Sequence, residues 1–124
     1  MTTAESIMMN FNHKALICNE KDYIVMIEDC TDPDGRMYRM EYRSTPDGKQ
    51  AIAYCLYNPW GNKNGDESYS GGHVAEDGFI CLGPNHDDKN LKNSPYDLEY
   101  VIRRSRYWCT GFSVLKESGV FPNP

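Results

Sequence analysis

The chain has 124 residues, 40% of them hydrophobic, which suffices for one compact domain with a single core and is too little for two domains of ordinary size. With 18 acidic residues against 13 basic the formal charge is -5, and no basic run exceeds the pair Arg103-Arg104, so no cationic cluster is present to displace counterions from a nucleic acid. The first residues carry no basic flank ahead of an apolar run, and no unbroken apolar stretch approaches about 18 residues; a cytoplasmic chain without a membrane span is expected.

Residues 1–12 form an N-terminal segment to which no element is assigned. Over 13–58 short apolar runs alternate with turn signals, the pattern of an antiparallel β-meander of about four strands. "KALIC" and "DYIVMIED" flank a polar link, "TDPDG" leads to "RMYRMEYRS", and "TPDGK" leads to "QAIAYCLYN". Tyr38, Met40 and Tyr42 share one face of the third run while Arg39, Glu41 and Arg43 share the other, which marks a strand buried on one side. The fourth run is nearly apolar on both faces and is expected to lie more centrally.

Residues 59–93 hold two polar loops, "GNKNGDESYSGG" and "GPNHDDKNLKN", on either side of "HVAEDGFICL". Residues 94–119 read as a long C-terminal helix: Ser94 as cap, Pro95 in the first position, and Asp97 completing a capping pattern. Leu98, Val101, Ile102, Trp108, Phe112 and Leu115 then draw an apolar stripe, Gly119 stands just beyond the end, and Gly111 is the point where the helix could bend. Strands followed by a helix packed on them give an α+β domain.

The five cysteines, Cys18, Cys30, Cys55, Cys81 and Cys109, are odd in number and widely spaced, which argues for reduced thiols. His13, His73 and His86 form no metal-ligand pair with them, and neither a metal nor another cofactor is expected. A cysteine within "FICL" is by default core filling, since thiols are among the most buried side chains. Cys81 differs from the other four in lying between two polar loops, where assisting groups are at hand. No Lys or Arg flanks it closely, so attack on an unactivated carbonyl would be slow. Exchange with an existing thioester is nearly balanced and needs far less activation.

These residues carry a resemblance to the ubiquitin-conjugating enzymes, in particular the short stand-alone bacterial members found in antiphage defence operons. Gly78, Ile80, Cys81 and Leu82 match the family's active-site segment, Ser94-Pro95 matches the Ser-Pro that opens its next helix, and "YWCTGFSVLKESGVFP" is similar to the closing helix of bacterial members. The meander agrees in order as well; the two last helices of the eukaryotic enzymes are absent, and the loop after the cysteine is longer. The resemblance implies that Cys81 carries a protein C-terminal glycine as a thioester and passes it to a lysine amine. It implies an activating enzyme and a ubiquitin-like modifier or protein substrate as partners, with a cGAS-like nucleotidyltransferase as a further one. It also places His73 where the family has an asparagine that steadies an oxyanion or holds the loop; the neighbouring His and Pro places are Gly71 and Gly72.

An incoming lysine is protonated at neutral pH, and a carboxylate near the thiol can orient it or ease loss of the proton. Asp87 and Asp88 are the first candidates, Glu76 and Asp77 the second, against the plainer reading of a solvated acidic loop. Two other function classes stay open: a non-catalytic module of the same fold that docks a modifier or partner protein, and an unrelated α+β domain with a buried Cys81.

Overall fold

The structure, a computed structural model, describes residues 1–61, 69–83, 86 and 88–122. Helix α1 (Thr3–Phe11) precedes four strands, β1 (Leu16–Asn19), β2 (Ile24–Thr31), β3 (Met37–Ser44) and β4 (Ala51–Tyr57). A single helical turn α2 (Tyr69–Gly72), a 3-10 turn (Leu91–Asn93) and the helix α3 (Leu98–Ser118) complete the chain. The strands pair antiparallel in sequence order, β1-β2-β3-β4, and α3 packs across β2, β3 and β4. The result is a small α+β domain with a long C-terminal helix on its sheet. No described helix is long and apolar enough to cross a membrane.

The alternation in β3 acts as read from the sequence. Tyr38, Met40 and Tyr42 are fully buried toward α3, joined there by Ile24 and Met26 of β2 and by Ala51, Ala53 and Cys55 of β4. From the helix side come Leu98, Val101, Ile102, Trp108, Cys109 and Phe112, and from α1 Ala4 and Met8. Removing this apolar surface from water is the main term holding the two layers together.

Both acidic turns of the meander are locally determined. In the β3-β4 turn Gly48 adopts φ +75°, its N–H donates to Thr45 O at 2.9 Å, and Asp47 accepts the Thr45 hydroxyl at 2.7 Å. This turn also anchors both helices, because Ala4 N–H donates to Pro46 O and Leu98 N–H to Gly48 O.

Three details depart from the sequence reading. Residues 3–11 are helical, capped by a reciprocal box in which Thr2 Oγ1 accepts Glu5 N–H and Glu5 accepts Thr2 N–H. Strand β4 is the last in the sheet, not a central one; its outer edge is covered by residues 78–80, with Cys55 N–H donating to Gly78 O at 2.8 Å and Ile80 N–H to Ala53 O at 3.0 Å. Helix α3 begins at Leu98 with Asp97 as its cap, and runs unbroken through Gly111. Ser94 does not cap it because its hydroxyl donates to Ala51 O at 2.6 Å, which ties the extended 94–96 segment to β4.

Candidate functional site

Residues 73–81 fold back on themselves as a tight turn laid along the edge of β4. Val74 faces Ile80 in an antiparallel bridge, Ala75 N–H donates to Phe79 O at 2.8 Å, and Gly78 closes the turn at φ +95°, a conformation that a side chain would strain. Phe79 and Ile80 are buried, so the turn is held by its apolar side. Cys81 follows directly, its N–H donating to His73 O at 2.8 Å. Trp108 of α3 donates from Nε1 to Gly72 O at 2.8 Å and so pins the residue ahead of His73 onto the helix.

The Cys81 side chain is half-buried, and its thiol donates to Gly83 O at 3.2 Å. The other thiols differ. Burial pushes Cys55 up to about 12. Burial, reinforced by the nearby Cys30 sulfur at 3.6 Å, raises Cys109 well above the ordinary thiol range. Neither forms a thiolate readily at neutral pH. Cys18 is exposed near the end of β1, and Cys30 of β2 is partly covered, its sulfur beside that of Cys109 on α3.

His73 takes φ +57°, a left-handed conformation that a β-carbon disfavours. Its carbonyl is engaged by Cys81 N–H, and its imidazole lies edge-on against Phe121, ring centroids 4.6 Å apart. Burial, with Arg104 adding a smaller push, holds its pKa below the ordinary histidine value. His73 therefore shapes the loop through its backbone, and its ring rests against the C-terminal segment.

Asp88 is exposed with both oxygens engaged. Oδ1 accepts Asn90 N–H and Oδ2 accepts Asn93 Nδ2–H, each at 2.8 Å; these bonds, the backbone one first, hold its carboxyl below the usual range. Asp77 accepts Phe79 N–H at 3.1 Å and pairs with Lys89 at 2.6 Å, while Glu76 is exposed. Asp87 lies outside the described residues. Cys81 and His73 are thus brought together, whereas Asp77 and Asp88 are occupied in building the turns around them.

Sequence reasoning passed over a second set of neighbours. His86 is buried and accepts Leu82 N–H on Nδ1 at 3.2 Å. Tyr96 stands edge-on to His86, centroids 5.1 Å apart, and stacks on Tyr100 at 4.6 Å. The Tyr100 hydroxyl donates to Leu82 O at 3.2 Å. The only sequence signal for this cluster is the aromatic residue directly after Ser94-Pro95, and nothing in its spacing connects it to a cysteine fifteen positions earlier.

Among the described residues no group of three or more His, Cys, Asp or Glu side chains is placed to hold a metal ion. What the site offers is a partly buried cysteine beside the edge of the sheet, framed by the 73–80 turn on one side and an aromatic cluster on the other. No protein-family model, curated protein or solved structure matches this chain.

Proposed function

We propose that the chain is a ubiquitin-conjugating-like acyltransferase whose Cys81 accepts a C-terminal glycyl group as a thioester and yields it to a lysine amine. One observation supports the reading: Cys81 is a partly buried cysteine directly after the turn on the sheet edge, next to Leu82, whose carbonyl accepts the Tyr100 hydroxyl from the first turn of α3, while Cys55 and Cys109 are sealed in the core. The order of a four-stranded meander, the turn leading to the cysteine and a long helix after it supports the resemblance read from the sequence. Thioester exchange suits an unassisted thiol, because one thiolate replaces another and the reaction is near balance. Holding the amine about 3 to 3.5 Å from the thioester carbon then supplies much of the rate of the second step. An activating enzyme would deliver the acyl group, and by family context a cGAS-like nucleotidyltransferase is a candidate substrate.

A second reading has one observation in its favour. The imidazole of His73, in the place of the family's asparagine, is taken up by packing on Phe121, which favours a module of the same fold that docks a modifier without transferring it.

The two readings separate in one experiment. The folded protein is incubated with an N-acetylglycyl thioester and N-acetyl-lysine amide, and the lysine-linked product is quantified. A transferase forms that product faster in the wild type than in Cys81→Ala, which keeps only the uncatalysed rate; a docking module gives the uncatalysed rate in both.

A further inference from the structure

The N–H groups beside the sulfur are already engaged: Cys81 donates to His73 O and Leu82 to His86 Nδ1. The imidazole of His73 is packed on Phe121. An acyl group on Cys81 nevertheless develops a negative charge on its carbonyl oxygen whenever a nucleophile attacks it, and a preorganised donor at that oxygen lowers the barrier.

Tyr96 has the placement for such a donor. Its ring is fixed from two sides, stacked on Tyr100 with planes 17° apart and edge-on to His86 at 89°. The Tyr100 hydroxyl is used on Leu82 O, but the Tyr96 hydroxyl has no hydrogen-bond partner among the described residues. It lies over Gly83, so close that a β-carbon added there would come within 1.9 Å of it. That same Gly83 accepts the Cys81 thiol through its carbonyl at 3.2 Å, so thiol and phenol meet at one residue.

We infer that Tyr96 is a catalytic residue of the proposed transfer, its hydroxyl donating to the carbonyl oxygen of the acyl group on Cys81. The inference rests on the transferase reading given above. In the first step the Cys81 thiolate bonds to the carbonyl carbon of the incoming thioester, the C=O π pair moves to the oxygen under Tyr96, and collapse expels the donor thiolate. In the second the lysine nitrogen bonds to the same carbon, the C–S bond breaks, Cys81 leaves as thiolate and the surplus ammonium proton passes to water. Burial first, then the neighbouring Tyr100 and Cys81, raise the Tyr96 phenol, which keeps it protonated and able to donate throughout.

The test uses two electrophiles on the whole chain. Acylation of Cys81 by the N-acetylglycyl thioester, and its discharge to N-acetyl-lysine amide, both pass through an oxyanion; alkylation by iodoacetamide attacks a saturated carbon and does not. Tyr96→Phe, which keeps the ring between Tyr100 and His86, is expected to slow both acyl steps by about 10- to 100-fold. The alkylation rate of Cys81 and the thermal midpoint should be unchanged. Acyl steps as fast as in the wild type, or slowed only as much as alkylation, overturn the role of Tyr96. A wild-type chain that forms no acyl adduct, or one that lysine does not discharge, overturns the transferase reading itself, so the two failures are distinguishable.

Discussion

Two side chains show how far a single residue's chemistry is set by its neighbours. Glu28 is buried under α3, where burial alone would push its carboxyl up; bonds from Arg106, Tyr42 and Asn12 outweigh that and hold it below its ordinary value of 4.5. Arg106 reaches it with two nitrogens, at 3.0 and 2.7 Å, and Asn12 Nδ2–H at 3.0 Å, with the Tyr42 hydroxyl donating to the second oxygen. Glu28→Gln removes the charge and leaves Arg106, itself about one-third exposed, without its partner. The expected loss is about 2 to 3 kcal/mol, at or below the low end for breaking a buried pair because the exposed side of Arg106 is screened by water; urea unfolding near neutral pH measures it. Glu28 was legible in the sequence only as an acidic residue at the end of an apolar run, since its partners come from 78 residues later in α3, from the neighbouring strand β3 and from the far end of α1. The turn that leads to Cys81 was legible, because its pattern is local. The approach of Tyr96 to Gly83 was not, because it is made by contacts distant in sequence.

At the level of elements, the meander was readable because strand alternation and turn chemistry agree: Gly35 and Gly48 take positive φ where "PDG" ends each turn. Helix α1 was missed although Thr2 and Glu5 write the capping box plainly; its stripe of Ala4, Ile7, Met8 and Phe11 is short and does not stand out against a methionine-rich start. The cap of α3 was misplaced by three residues, since Ser94 and Asp97 are both good caps and only the tertiary bond from Ser94 to Ala51 O decides between them. Asp97 accepts Tyr100 N–H at 2.9 Å, so Asp97→Ala should lower stability by about 1 kcal/mol. Ser94→Ala removes a buried hydrogen bond instead, and both are read from chemical-denaturation midpoints. Gly111 sits inside α3 for packing. A β-carbon there would meet the Phe121 ring at 2.5 Å, so Gly111→Ala, although favoured by helix propensity by about 1 kcal/mol, should displace Phe121. Loss of the nuclear Overhauser contact between the Phe121 and His73 rings is the readout.

For the whole molecule the depressed carboxylates set the response to acid. Glu28 has a folded pKa below its unfolded one, so its stabilisation is complete above about 4.5 and is lost as pH falls through the lower folded value. Asp32 behaves alike: burial opposes ionisation, but donors from Ser113 and Arg36 hold it below its ordinary 3.8. The unfolding midpoint should therefore fall steeply on the acid side of about pH 4.5, and Glu28→Gln should flatten that fall while lowering the plateau above it. The fold around these groups is a two-layer scaffold whose edge strand is completed by the turn that carries Cys81, so the thiol's position depends on the sheet as a whole.

The central claim concerns one thiol among five, and exposure alone would single out another. The decisive measurement is peptide mapping of the folded chain after brief treatment with an N-acetylglycyl thioester, comparing acyl occupancy at all five cysteines. The account predicts acylation at Cys81 well ahead of the more exposed Cys18. Occupancy that simply follows exposure, with Cys18 first, or no acylation at Cys81 at all, would contradict it.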